Sequence, residues 1–95
     1  PADIGWSDVG SWASLADISQ ANEAGNVVLG QSEHLLLDTR ECLVYAPGRT
    51  VATIGLRDMI IVDAGDVLLI CPKGRAQDVR QLVDLVRQTG RQDLL

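Results

Sequence analysis

The residues best placed to do chemistry in this 95-residue chain lie at its opening, Asp3-Ile4-Gly5-Trp6-Ser7-Asp8-Val9-Gly10-Ser11-Trp12. This stretch holds both tryptophans, two of the nine glycines and two carboxylates. A carboxylate in a glycine-flanked loop can reach a hard cation such as Mg²⁺. That ion usually takes one or two carboxylates and fills its shell with water and substrate phosphates. Asp8 is the candidate metal-holding residue. Gly10 lets a ligand approach the backbone, and Ser11 at a helix start adds amide donors that suit an anion. The structural alternative makes Trp6 and Trp12 core anchors and Asp8 the cap of a turn.

A loop of this kind needs a scaffold, and the composition limits what it can be. With 46% hydrophobic residues, no Phe and one Tyr, the core has to be built from Val, Leu and Ile. Thirteen acidic against eight basic residues give a net charge of −5, which argues against a general nucleic-acid surface. A small phosphorylated ligand is still compatible, because a local site needs only a few cations or a metal. No apolar stretch reaches the ~18 residues of a membrane span. Cys42 and Cys71 each sit in an aliphatic run and read as buried thiols, and a single histidine, His34, leaves no zinc spacing. Reduced cysteines and the lack of a signal peptide point to the cytoplasm. The start at Pro1 without Met suggests an excised fragment.

The loop is followed by a predicted helix over 11–21, N-capped by Ser11, with Gly25 suited to a left-handed backbone beyond it. The texture then changes. Short aliphatic runs begin at Val27, Leu35, Leu43, Val51, Ile60 and Val67, at offsets of 8, 8, 8, 9 and 7. Turn residues separate them, among them Pro47-Gly48 and Asp63-Ala64-Gly65-Asp66. This spacing predicts short strands in a roll, a barrel or an irregular β-helical coil, and it is too long for a strict hexapeptide repeat. Runs such as Met59-Ile60-Ile61-Val62 and Val67-Leu68-Leu69-Ile70 do not alternate cleanly, so those strands are expected to be covered on both faces or to face a partner. Val79, Leu82, Val83 and Val86 then mark one stripe of an amphipathic helix over 75–89, with Asp78 near its start and Gly90 as its stop. Residues 91–95 read as a frayed tail or a cut linker. Arg40, Arg49, Arg57, Arg75, Arg80, Arg87 and Arg91 are scattered and read together as a solvated surface. Tyr45 reads as packing or a surface contact, and His34 as structural or solvated.

The opening stretch, together with Gly25-Asn26-Val27-Val28-Leu29-Gly30, Val51-Ala52-Thr53-Ile54-Gly55-Leu56, Ala76-Gln77-Asp78-Val79 and Gly90-Arg91, resembles bacterial mannose-1-phosphate guanylyltransferases. The similarity runs in order through nearly the whole chain and begins just after the family's nucleotidyltransferase core. It implies a parent that converts GTP and mannose 1-phosphate to GDP-mannose and pyrophosphate with Mg²⁺. It further implies a mainly β domain, a short left-handed β-helix with a terminal helix, that packs on an N-terminal catalytic domain and contributes to a homodimer. Residues 1–22 would close the nucleotidyltransferase domain and 23–95 would form the β-helix-like domain. The family's glycine-rich nucleotide loop has no counterpart here, so the 95 residues alone are expected to be inactive. By position, Asp8 resembles the second metal-holding aspartate, Gly10 would lie near the sugar phosphate, and Trp6 and Trp12 would position the loop. Arg75, Gln77 and Asp78 match a recurring pattern without a clear role, and capping with a surface ion pair accounts for them. The alternatives from other classes are a non-catalytic oligomerisation module and a small sugar- or nucleotide-binding β-domain.

Overall fold

In the computed structural model, which describes residues 5–9, 21–29 and 33–95, the chain winds as a coil of short strands. These are β1 (Val27–Leu29), β2 (His34–Leu37), β3 (Leu43–Tyr45), β4 (Val51–Ile54), β5 (Met59–Asp63) and β6 (Leu68–Pro72). Strands β1, β3 and β5 stack in parallel, with Val27 opposite Leu43 and Leu43 opposite Ile60. Strands β2 and β4 stack in parallel on another side, with His34 opposite Val51. One full turn therefore takes about two of the eight-residue spacings, and hydrogen bonds join residues 16 and 17 positions apart. These parallel ladders remove the barrel and roll alternatives. The coil ends where β6 turns back antiparallel onto β5.

The corners explain the turn residues. Gly25, Glu41 and Asp58 occupy equivalent positions on successive turns, and all have positive φ, at 80°, 56° and 55°. Backbone bonds stack them: Glu41 N donates to Ala24 O and Asp58 N donates to Arg40 O, both at 3.1 Å. The left-handed backbone expected at Gly25 is present, and it serves as a coil corner. Of the helix expected over 11–21, residues 11–20, with Ser11 and Trp12, lie outside the described residues, as does Gly10; Ala21 is described and is not helical.

The inside of the coil is polar at its corner. Asn26 is 3% exposed; its Nδ2 donates to Thr39 O at 2.8 Å and its Oδ1 accepts from Cys42 N at 2.9 Å. The hydroxyls of Thr39 and Thr53 share a bond at 2.6 Å. Buried amides and carbonyls need such partners, because an unpaired one costs about 1–3 kcal/mol.

Strands β3 and β5 are buried on both faces, as expected of the Met59-Ile60-Ile61-Val62 run, but β6 is covered on one face only. Leu69 is buried, whereas Leu68 and Ile70 are exposed, because β6 folds back as the last strand of its sheet. In β3 and β5, Leu43, Ile60 and Val62 join Trp6, Val9, Val27, Leu69 and Val79 in one cluster. Val44 and Ile61, which alternate with them, are buried on the opposite face, inside the coil. Strands β2 and β4 have only one covered face. Leu35, Leu37 and Ile54 point outward and are 61%, 59% and 75% exposed.

The terminal helix begins later than its periodicity predicts. Lys73–Asp78 forms 3₁₀ turns and α1 spans Val79–Thr89. Arg75 has non-helical dihedrals, and Asp78 makes no cap bond; its carboxylate accepts from Arg75 Nε at 2.7 Å and Gln81 Nε2 at 3.3 Å. The surface ion pair is therefore present and the side-chain cap is not. Val79, Val83 and Val86 face the core, whereas Leu82 is 39% exposed and borders an apolar groove with Ile70 and Leu85. Gly90, at φ 78°, ends the helix as expected. Residues 91–95 are not frayed. Gln92–Leu94 forms a 3₁₀ turn closed by Leu94 N donating to Arg91 O at 3.0 Å, and Leu94 O accepts a bond from Trp6 Nε1 at 2.7 Å that ties the turn down. Cys42 is a buried free thiol. Cys71 is also free but only half-buried, and burial pushes its pKa up against the lowering charge of Arg75. No helix among the described residues is long and apolar enough to cross a membrane.

Candidate functional site

Asp8 sits at the end of a single 3₁₀ turn, Trp6–Asp8, closed by Asp8 N donating to Gly5 O at 3.1 Å. The neighbours on either side of Ser7-Asp8 are anchors. Trp6 is 4% exposed and Val9 is fully buried, both in the main cluster against Val79. Trp6 therefore meets the core-anchor reading, and the same burial holds the turn in place. Asp8 itself is exposed. A buried side chain on each side and an exposed carboxylate between them are what a ligand-facing loop needs.

The bond from Trp6 to Leu94 spans 88 residues and clasps the two ends of the described chain beside the Asp8 turn. Trp6→Phe keeps an aromatic ring and deletes the donor. The expected loss is about 1 kcal/mol, which lowers the melting temperature of a domain this size by about 4–8 °C. Thermal denaturation checks the size of the effect, and faster hydrogen exchange confined to residues 92–95 checks its location.

Asp8 borders an open groove of about 760 Å³ with Tyr45, Arg49, Asp63, Gly65 and Leu95 among its walls. The groove thus joins the opening turn to the β3–β4 and β5–β6 connections. Asp63 is the buried charge here, at 8% exposure. Its Oδ1 accepts from Gly65 N at 2.9 Å, and its Oδ2 is bound by Arg49 Nε. The Gly65 bond, with a smaller contribution from Arg49, holds the Asp63 carboxyl below the usual carboxylate range against the opposing effect of burial. A folded-state pKa lower than the unfolded one stabilises above the unfolded value, about 3.9, and the gain disappears as pH falls through the folded value. The chain is therefore expected to lose stability below about pH 4 more steeply than its Asp63→Asn variant. Urea denaturation at stepped pH measures the difference, and parallel curves would remove Asp63 from the acid response.

Of the residues singled out from sequence, the structure places Trp6 and Asp8 side by side, one as anchor and one exposed. Gly10 and Trp12 are outside the described residues. Arg75 and Asp78 pair with each other beside α1 and border the apolar groove, not the Asp8 groove. Arg49 and Asp63 are the residues that sequence reasoning misses. Arg49 reads there as one of the scattered arginines, and Asp63 as a turn residue. The available signal is the flanking Pro47-Gly48 and Ala64-Gly65 turns, which bring both side chains to one edge of the coil. Among the described residues no three His, Cys, Asp or Glu side chains gather as a metal-ligand set.

Residues 32–86 match the model of the MannoseP isomerase/GMP-like beta-helix domain. The chain belongs to that family. This β-helix domain is 39% identical over 93 residues to the mannose-1-phosphate guanylyltransferase of Escherichia coli, covering 98% of this chain and 19% of that protein. It is also 39% identical over 93 residues to the alginate biosynthesis protein AlgA of Pseudomonas aeruginosa, again covering 98% and 19%. Among solved structures it is similar to the mannose-1-phosphate geranyltransferase of Thermus thermophilus, with a TM-score of 0.70 and 39% identity, covering 84% of this chain and 24% of that one. The chain thus spans about a fifth of the length of the curated relatives it matches. The family and its mainly β, helix-ended fold agree with the resemblance read from the opening stretch.

Proposed function

We propose that this chain is the C-terminal part of a cytoplasmic mannose-1-phosphate guanylyltransferase, with residues 1–22 closing its nucleotidyltransferase domain and 23–95 forming the β-helix domain. In the parent, the phosphate of mannose 1-phosphate attacks the α-phosphorus of GTP, pyrophosphate leaves, and GDP-mannose forms. The observation that carries this reading is the exposed Asp8 on a turn held by buried Trp6 and Val9, within a sequence that matches such enzymes along its whole length.

Asp8 fits a divalent cation as one hard oxygen donor. With one carboxylate from this chain, the remaining ligands are phosphate oxygens, water and groups of the parent outside these residues. Mg²⁺ held there by Asp8 would supply positive charge to offset the charge developing on the transferring phosphoryl group. Asp8 supplies the charge that holds the ion. Trp6 acts through the turn by fixing its position. By the family resemblance, Gly10 is assigned to the sugar phosphate and Trp12, with Trp6, to positioning the loop. GTP and the sugar are bound mainly by the N-terminal catalytic domain.

The purified 95-residue chain is expected to release no pyrophosphate from GTP and mannose 1-phosphate with Mg²⁺, while the full-length parent does. Turnover by the chain alone would overturn the division of labour, and a parent that makes no GDP-mannose would overturn the function. A second role, homodimer assembly, is favoured by the outward Leu35, Leu37 and Ile54 of β2 and β4. Sedimentation of the parent as a monomer at high concentration would remove it.

A further inference from the structure

We propose that Arg49 is a second ligand-contacting residue of the Asp8 groove, taking an oxygen of a phosphate whose metal ion is held by Asp8. This rests on the reading of Asp8 given above.

Arg49 and Asp8 wall the same groove from different parts of the chain. The Arg49 side chain is 62% exposed, and the Asp63 side chain that binds it is 9% exposed. Asp63 is itself fixed by Gly65 N. The guanidinium is thus held from beneath at Nε, and its Nη groups make no hydrogen bond to a described residue. A planar fork of donors matches a phosphate, and a side chain already ordered loses less freedom on binding. As a stability device the pair is modest, because an ion pair with one solvent-exposed partner contributes little.

Charge defines the ligand further. Asp8 and Asp63 together outweigh Arg49 by one negative charge, so the groove disfavours a bare anion. A metal–phosphate complex meets both signs, with the cation on Asp8 and a phosphate oxygen on Arg49. The ligand class is therefore a Mg²⁺-bound phosphate ester or nucleotide.

The test uses the full-length parent and its Arg49→Gln, Arg49→Lys and Asp8→Asn variants. Calorimetry follows mannose 1-phosphate and GTP separately, each with and without Mg²⁺. Arg49→Gln is expected to weaken Mg²⁺-dependent binding of at least one of the two by about tenfold to a hundredfold, the range for a charged hydrogen bond. The weakened ligand identifies the phosphate. Arg49→Lys keeps the charge opposite Asp63 and loses the fork, so it is expected to weaken the same ligand while melting as the parent does. If Arg49→Gln does not fold, Arg49→Lys decides alone. Unchanged binding of both ligands in a folded Arg49 variant overturns the proposal. Asp8→Asn separates the two readings. If it abolishes Mg²⁺ dependence while the Arg49 variants bind normally, the Asp8 reading stands and this one falls. If Arg49 variants weaken binding while Asp8→Asn leaves Mg²⁺ dependence intact, the Arg49 contact stands and the metal reading falls.

Discussion

Asp8→Asn in the full-length parent is expected to lower the rate of GDP-mannose formation by roughly 10²–10³-fold while the protein stays folded, because a metal held at a phosphoryl group would supply several kcal/mol of charge stabilisation. Asn keeps the size of the side chain and one oxygen, but not the charge that competes with water for a hard cation. Asp8 is exposed, and the backbone bond that closes its turn runs through its amide and not its carboxylate, so folding does not depend on the charge. Steady-state rates across a Mg²⁺ titration, with circular dichroism as the folding control, check the expectation. An unchanged rate at saturating Mg²⁺ would take Asp8 out of the metal site and leave it as the end of a turn.

The second large effect concerns the scaffold. Asn26→Ala is expected to destabilise the 95-residue chain by roughly 3–5 kcal/mol, from stranding two buried backbone groups at about 1–3 kcal/mol each and opening a small gap. The amide of Asn26 satisfies Thr39 O on one side and Cys42 N on the other. Thr39 is 4% exposed and Cys42 is fully buried, so water does not readily replace the lost partner. A domain of this kind has a total stability of about 5–15 kcal/mol, so the variant sits near the threshold of folding. Asn22→Ala is the control. The Asn22 side chain accepts from Ala24 N and Asn26 N at an exposed corner, and its loss is expected to cost about 1 kcal/mol. Equal midpoints for the two variants in urea would show that the buried corner does not hold the coil.

The two effects belong to different layers of one arrangement. Asn26 keeps consecutive turns of the coil in register, and the coil's outer face forms the cluster that receives Trp6 and Val9. Those two residues hold the Asp8 turn, and Leu94 clasps it from the other end of the chain. A change in the coil can therefore reach Asp8 without touching it.

Local chemistry in the sequence determined a good deal about this protein. Aliphatic runs of fixed spacing marked the strands, and glycine, proline and aspartate between them marked the turns, because those preferences act within a few residues. Gly90 set the end of α1 for the same reason. Trp6 and Asp8, next but one in the chain, were visible as one feature from residue type alone. Tertiary structure decided what the spacing meant. Offsets of about eight fit several β architectures, and only pairing across 16 or 17 residues makes them half-turns of a coil. It also decided the pairing of Arg49 with Asp63. Apart from the Pro47-Gly48 turn beside it, nothing near Arg49 in sequence separates it from the other arginines, since its partner lies 14 residues on and Asp8 lies on another element. The tail was illegible for a similar reason. Its anchor is the carbonyl oxygen of Leu94, a group every residue carries, and only the folded chain brings it to the indole of Trp6.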